Sequence, residues 1–286
     1  MHSKDHLNQN GFSLLEMAIV LIILAAVLAT LLTPLQAQRN QSSQFQTENT
    51  LATAKQALLG YAQQNGRLPC PATAINNIDA GSYGQENPLG GTHDANPLLV
   101  PATSVACAAQ AGFLPAATLG LQTTDKYGFA LDAWNNRLRY AISADDSSSF
   151  ASPRNASPFI TVSTTHPACD GDSAPDFTTS GNMSAVGLIC LAPNLRVCQS
   201  SASTECTNTI YLSNNAVAII FSTGKNYGLS AGEDEILNLA ATTTFYSRTP
   251  TAATAPISSS KEFDDIMVWI SPYVLYNAMI EAGQLH

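Results

Sequence analysis

From Phe12 to Leu35 the chain runs FSLLEMAIVLIILAAVLATLLTPL, almost wholly apolar, with one carboxylate, Glu16, near its start. About 20 residues at roughly 1.5 Å each cover the hydrocarbon core of a bilayer, so this run predicts a membrane-spanning helix. A polar leader, residues 1–11, precedes it and ends in Gly11. That order is unlike a secretory signal peptide, whose short apolar core closes on a small-x-small cleavage site. Pro34 removes one backbone donor and is expected to kink or loosen the helix. Residues 36–50 are strongly polar; Leu51, Ala54, Leu58 and Tyr61 then recur at three- and four-residue spacing on one helical face. Asn65-Gly66, with Pro69 close behind, is a stop signal, since glycine suits the left-handed position past a helix end. The pattern predicts one helix from about Phe12 to Gln64, roughly 80 Å long. Its first half is expected in the membrane and its second against a globular domain.

Residues 67–121 are crowded with Gly and Pro and read as loop. Alternation begins at Asn136–Ile142, where Leu138, Tyr140 and Ile142 share one face and Arg137 and Arg139 the other. The two arginines are expected to be solvated or paired with a neighbouring subunit. Further strands are predicted over 159–163, 183–190, 209–212, 216–221 and 266–270, with 216–221 apolar enough to be central. Ser/Thr/Asn-rich loops are expected at 200–208 and 242–260. Pro272 opens a short C-terminal helix whose Val274, Leu275, Ala278 and Met279 make an apolar face before Gly283. The expected class is α+β: a long N-terminal helix packed on an antiparallel β-sheet, with disulfide-stapled insertions.

Composition narrows the functions. Formal net charge is −9 and charged residues are 12%. Such a surface is poor for nucleic acid, which needs clustered Lys and Arg to displace counterions, so no nucleic-acid partner is expected. Six cysteines, all beyond the apolar run, fit an oxidising compartment. Cys70 and Cys107 bracket the loop-rich region and are positioned to staple it. Six cysteines admit many pairings; the one carried forward is Cys70–Cys107, Cys169–Cys190 and Cys198–Cys206. Lys4 beside Asp5 before the run, and Arg39 after it, leave orientation undecided by charge.

Glu16 is costly where it stands, about 3 kcal/mol for a carboxylate within a span. If the chain is cut between Gly11 and Phe12, the new α-amine lies four residues upstream of Glu16, and the two charges attract strongly in low dielectric. The alternative is a polar residue near the helix start reaching the interface. Gly11-Phe12-Ser13-Leu14-Leu15-Glu16, followed by the apolar helix, closely resembles the processing motif of type IV pilins and type II secretion pseudopilins. The resemblance implies that prepilin peptidase cuts after Gly11 and methylates Phe12, and that Glu16 neutralises the amine of a neighbouring subunit during assembly. The implied partners are other pilin or pseudopilin subunits, an inner-membrane assembly platform and the lipid bilayer. The implied layout is a leader 1–11, a transmembrane half-helix 12–35, a periplasmic half-helix 36–66 and a β-rich pilin-like domain 67–286. That makes a single-pass inner-membrane protein, N-terminus cytoplasmic, passing into surface filaments after assembly.

Two later stretches resemble the pseudopilin core. Asp132-Ala133-Trp134-Asn135, leading to Tyr140, is similar to an Asp-x-Trp-Gly turn, with Asn135 in place of the glycine; asparagine tolerates positive φ better than most residues. Asp132 is expected to bond backbone amides while Trp134 and Tyr140 fill the core. Residues 222–226, Glu233-Asp234-Glu235 and Phe263-Asp264-Asp265 resemble the loop that binds calcium in the major pseudopilin. Glu233, Asp234, Glu235, Asp264 and Asp265 are therefore candidate ligands for Ca²⁺, a hard cation taking about 6–8 oxygens; the alternative is a solvated acidic surface capped by Lys225 and Lys261. Asp170, Asp172 and Asp176 resemble half a calcium loop without its bidentate Glu. His166 and Cys169 do not make four ligands for a soft metal. No nucleophile elbow, P-loop, zinc-protease or dinucleotide motif is present, and nothing positions a serine beside His93 and Asp94. The expected role is structural rather than enzymatic, with no cofactor beyond candidate calcium. The resemblance implies a minor pilin or pilin-like subunit that assembles into or initiates a type IV pilus. A type II secretion pseudopilin is the alternative, and a membrane-anchored periplasmic enzyme the distant one.

Overall fold

The computed structural model describes residues 14–73, 83–87, 107, 109–122, 124–143, 193, 195–199, 211–227, 232–240, 243–251 and 262–283, with the backbone alone over 29–37. The predicted strands 159–163 and 183–190 lie outside the described residues. So do Cys169, Cys190 and Cys206, and His93, Asp94, His166, Asp170, Asp172 and Asp176. The chain divides into two units, Met1–Phe45 and Gln46–His286.

Helix α1 runs Leu14–Asn65, 52 residues, and continues through Pro34 without a break. In the first unit its described apolar side chains, from Leu14 to Leu28, are exposed on every side. Among the described residues no helix is long and apolar enough to cross a membrane. The described side chains of the predicted span end at Leu28 and cover roughly 22 Å of helix.

In the second unit the α1 stripe is Leu51, Ala54, Leu58 and Ala62, all fully buried. Tyr61 is half-buried and turns instead to Glu86, its hydroxyl donating to Oε1 at 3.0 Å. Gly66 ends the helix with φ 66°, its N–H bonding Ala62 O at 2.8 Å. That conformation costs a side chain about 1–2 kcal/mol, which glycine avoids.

The main sheet has strands β1 (Ala111–Phe113), β2 (Arg139–Ile142), β5 (Ala218–Ser222) and β7 (Ile266–Ile270) in the order β1-β2-β5-β7, every neighbour antiparallel. Tyr140, Ile142, Ala218, Ile220 and Ile270 share one face, packed with α1 and the C-terminal helix α3 (Pro272–Glu281). Ala141, Ile219, Phe221 and Met267 share the other. That face meets a second, smaller sheet made of β3 (Leu195–Cys198), β4 (Tyr211–Ala216) and β6 (Thr244–Tyr246), in the order β4-β3-β6. Every residue of β5 is buried because it is covered on both faces. Each fully buried Ile or Phe there contributes about 1.5–3 kcal/mol.

Several expectations change. There are two sheets, not one, and β3 pairs with β6 in parallel. The predicted strand 216–221 begins at Ala218, because Ala216 closes β4 and the chain turns at Val217. Strands β1, β3 and β6 and helix α2 (Glu233–Leu239) fall where loop was expected or nothing was predicted; β1 and β6 have three residues each, too few to show a period. Trp134 is half-buried rather than core. Arg137 and Arg139 are half-buried under Phe113, Tyr127 and Phe129, rather than solvated. Cys70 bonds to Cys107 with a Cα–Cα distance of 5.3 Å, closing a loop worth about 4 kcal/mol on the chain-entropy model. Cys198 is disulfide-bonded as well.

Candidate functional site

Glu16 stands in the first turn of α1, exposed among Leu15, Met17, Ile19 and Val20. A carboxylate is favoured there by the helix dipole. Gly11 and Phe12 lie outside the described residues. Among its described residues this end of the helix offers apolar surface on all sides and one acidic group.

In the second unit the Asp132 turn is built as expected. Asp132 Oδ1 accepts from the backbone N–H of Trp134 and of Asn136, each at 2.8 Å. Oδ2 accepts from Ser222 Oγ at 2.6 Å. Asn135 has φ 66°, as a residue replacing glycine in this turn must. The turn reaches α1 through Ala133 N–H, which donates to Thr47 Oγ1 at 3.2 Å. Burial pushes the Asp132 carboxyl above its ordinary range, against the pull of its hydrogen bonds.

Of the five acidic residues, the fold brings Glu235, Asp264 and Asp265 together, with one oxygen from each within 4.8 Å of the others. Glu233 is exposed and does not join them. Asp234 is buried and paired with Arg248, Nε to Oδ2 at 3.0 Å. Glu235 closes the start of α2, with Oε2 accepting from Gly232 N–H at 2.7 Å and Asn226 Nδ2 at 3.1 Å. Its Oε1 accepts from Asp264 N–H at 2.6 Å. Asp264 Oδ2 accepts from the N–H groups of Lys225 and Asn226 at 2.9 and 3.2 Å, and Asp265 Oδ2 from Asn238 Nδ2 at 2.7 Å.

Three carboxylates this close repel one another, and they are withdrawn from water. Burial first, then the charge of Glu235, raises the Asp264 carboxyl to about 7. Burial holds Asp265 well above the ordinary carboxylate range. Asp264 Oδ1 is buried and has no hydrogen-bond partner among the described residues. Such a donor set fits a hard cation: Glu235, Asp264 and Asp265 would hold it, and it would supply the positive charge the cluster lacks. The reading of a solvated acidic surface is overturned for these three, which are buried or half-buried. Lys225 faces them through its backbone, and Lys261 lies outside the described residues.

Sequence reasoning missed a second ionic hub. Arg67 and Glu86 form a two-pronged pair at 2.8 and 2.7 Å, with both side chains nearly buried. Glu86 also accepts from Tyr61 and from Cys70 N–H at 3.0 Å. Burial pushes the Glu86 carboxyl up, but the Arg67 hydrogen bonds and charge outweigh it and hold it below the ordinary value. The hub ties α1 to the disulfide-closed loop. Its only sequence signal was one acid inside a Gly/Pro-rich stretch.

Neither a curated protein nor a solved structure matches the chain. Residues 6–32, which hold Gly11, Phe12, Glu16 and most of the apolar run, match the family described as the prokaryotic N-terminal methylation motif, so the chain carries the prepilin-type signal of type IV pilins and pseudopilins.

Proposed function

We propose that the chain is a structural subunit, a minor pilin or pilin-like protein, that assembles into or initiates a type IV pilus. The observation that carries this reading is the methylation motif over 6–32, joined to a helix whose described N-terminal side chains are exposed, apolar and interrupted only by Glu16. In this reading residues 12–35 hold the subunit in the inner membrane, with residues 1–11 cytoplasmic and the domain from residue 67 periplasmic. Prepilin peptidase cuts after Gly11 and methylates Phe12. Glu16 then meets the Phe12 amine of a neighbour, which offsets the cost of a carboxylate in hydrocarbon. Apolar helix faces pack side by side at an assembly platform, and the globular domain faces outward. The role is assembly and not catalysis.

A pseudopilin of a type II secretion system is the second reading. It is favoured by the Glu235–Asp264–Asp265 cluster and by the Asp132 turn that resembles the pseudopilin core. Mass spectrometry of the N-terminal peptide from native membranes tests what both readings share. N-methylated Phe12 is expected; a chain still beginning at Met1, in cells with a working prepilin peptidase, overturns both. Presence of the protein in sheared surface filaments selects the pilus. Loss of secreted enzymes with pili intact, on deletion, selects secretion.

A further inference from the structure

Arg137 and Arg139 point to the same side of β2, and both lie over the Phe113 ring. Their charges are treated differently. Arg137 is neutralised by Asp125, Nε to Oδ2 at 2.8 Å. Arg139 meets no carboxylate among the described residues; its guanidinium sits 4.4 Å from the Phe113 centroid. In a chain with 21 acidic and 12 basic residues, a half-buried arginine without an acid is unexpected. It borders a cleft of about 40 Å³ between the main sheet, α2 and β6, walled by Gly112, Phe221, Leu239 and Phe245. Asn238 also lines the cleft, but its amide is occupied by Asp265 and by the backbone of Tyr246.

We infer that this cleft is a binding subsite for a single carboxylate, held by the Arg139 guanidinium. The guanidinium is planar and always charged, and its forked donors match two carboxylate oxygens at once. Stacking on Phe113 fixes its plane before anything binds, which lowers the ordering cost. The apolar side chains of Phe221, Leu239 and Phe245 lower the local dielectric on one side of the contact, which strengthens it. The volume exceeds the roughly 10–15 Å³ that one water needs and suits a carboxylate head group. A phosphate monoester is a poorer fit, because it is bulkier, carries close to two negative charges and would meet one cation. The carboxylate comes either from a free short-chain acid or from an acidic side chain of another copy. Only the second source rests on the assembly reading.

The test uses the full chain in detergent micelles, labelled with ¹⁵N-arginine, with the Arg139 Nε–H signal assigned from Arg139→Lys. Sodium propionate is titrated against propionamide and against sodium chloride at equal ionic strength. A saturable shift of the Arg139 signal with propionate alone is expected, with Arg137 unmoved, and Arg139→Gln should weaken propionate binding at least about tenfold. No saturable shift, or the same shift with chloride, overturns the subsite. Arg139→Lys keeps the charge without the fork, so equal affinity in a variant with unchanged melting also overturns the guanidinium's role. Raising the chain concentration without propionate then separates the sources. A moving Arg139 signal supports a side chain of another copy, and a still one, beside working propionate binding, supports a free acid.

Discussion

The Asp132 carboxylate accepts a 2.6 Å hydrogen bond from Ser222 Oγ, joining residues 90 apart in sequence. One end is the turn before β2 and the other the last residue of β5, so a single buried contact ties the approach to β2 to the end of the strand beside it. Asp132→Ala removes the acceptor for Ser222 Oγ and for the amides of Trp134 and Asn136. Leaving partly buried donors unpaired costs about 1–3 kcal/mol each where water cannot replace the bond. A loss of about 3 kcal/mol in denaturant unfolding of the micelle-bound chain is expected, against about 1 kcal/mol for Ser222→Ala. A change below about 0.5 kcal/mol for Asp132→Ala would remove the turn from the account of the fold.

Asn135, at φ 66°, occupies the left-handed region without being glycine. Its side chain is exposed, so a substitution there acts through the backbone alone. Asn135→Gly is expected to gain about 0.5 kcal/mol and Asn135→Ala to lose about 1 kcal/mol. Paired melting curves check the order Gly above Asn above Ala. A different order would mean that the turn does not need this conformation.

The Arg67–Glu86 pair is nearly dry, with side-chain exposures of 11% and 10%. Removing one partner strands the other charge, so Glu86→Leu or Arg67→Met alone is expected to cost about 3–5 kcal/mol. The double variant should cost less than the sum of the singles, because no charge is left buried alone. Strict additivity in chemical unfolding would show that the two groups do not act as a pair. Because the folded value of Glu86 is lowered, its contribution is fully present above its unfolded value and is lost as pH falls through the folded one.

The parts of the fold that could be read from the chain are those with a long period or a strong punctuation mark. α1 shows a full helical stripe and ends at Gly66; β7 shows five apolar residues before Pro272, and the helix after it starts on a Ser271 cap with Pro272 in its first turn. β1, β3 and β6 were not readable, because three or four residues carry no period and their burial depends on partners far along the chain. For the same reason Arg137 looked solvated: alternation shows that it faces away from α1, but not that Phe113 and Phe129 cover that side. The acidic residues were found by type, yet only tertiary structure separates Asp234, which pairs with Arg248, from Glu235, which joins Asp264. Asn226 and Asn238, which hold the cluster together, carry no charge to draw notice.

The Glu235–Asp264–Asp265 cluster should make stability depend on pH with an unusual sign. The folded value of Asp264 is about 7, above an unfolded value near 4, so between these pH values the native state binds the proton and the unfolded state does not. Stability from this group is therefore highest at low pH and falls as pH rises from roughly 4 to 7, then levels off. Burial of Asp265 and Asp132 acts in the same direction. Glu86 acts oppositely, but below about pH 4.5, which leaves it out of melting between roughly pH 5 and 8. Tm is expected to fall across that range, and Asp264→Asn, which keeps the shape without the charge, should flatten the slope. Calcium added at pH 8 should raise Tm by supplying the missing positive charge, and should do less at pH 5, where protons already occupy the site. Equal calcium effects at both pH values, or an unchanged slope in Asp264→Asn, would show that Asp264 neither carries the pH dependence nor shares a cation with its neighbours.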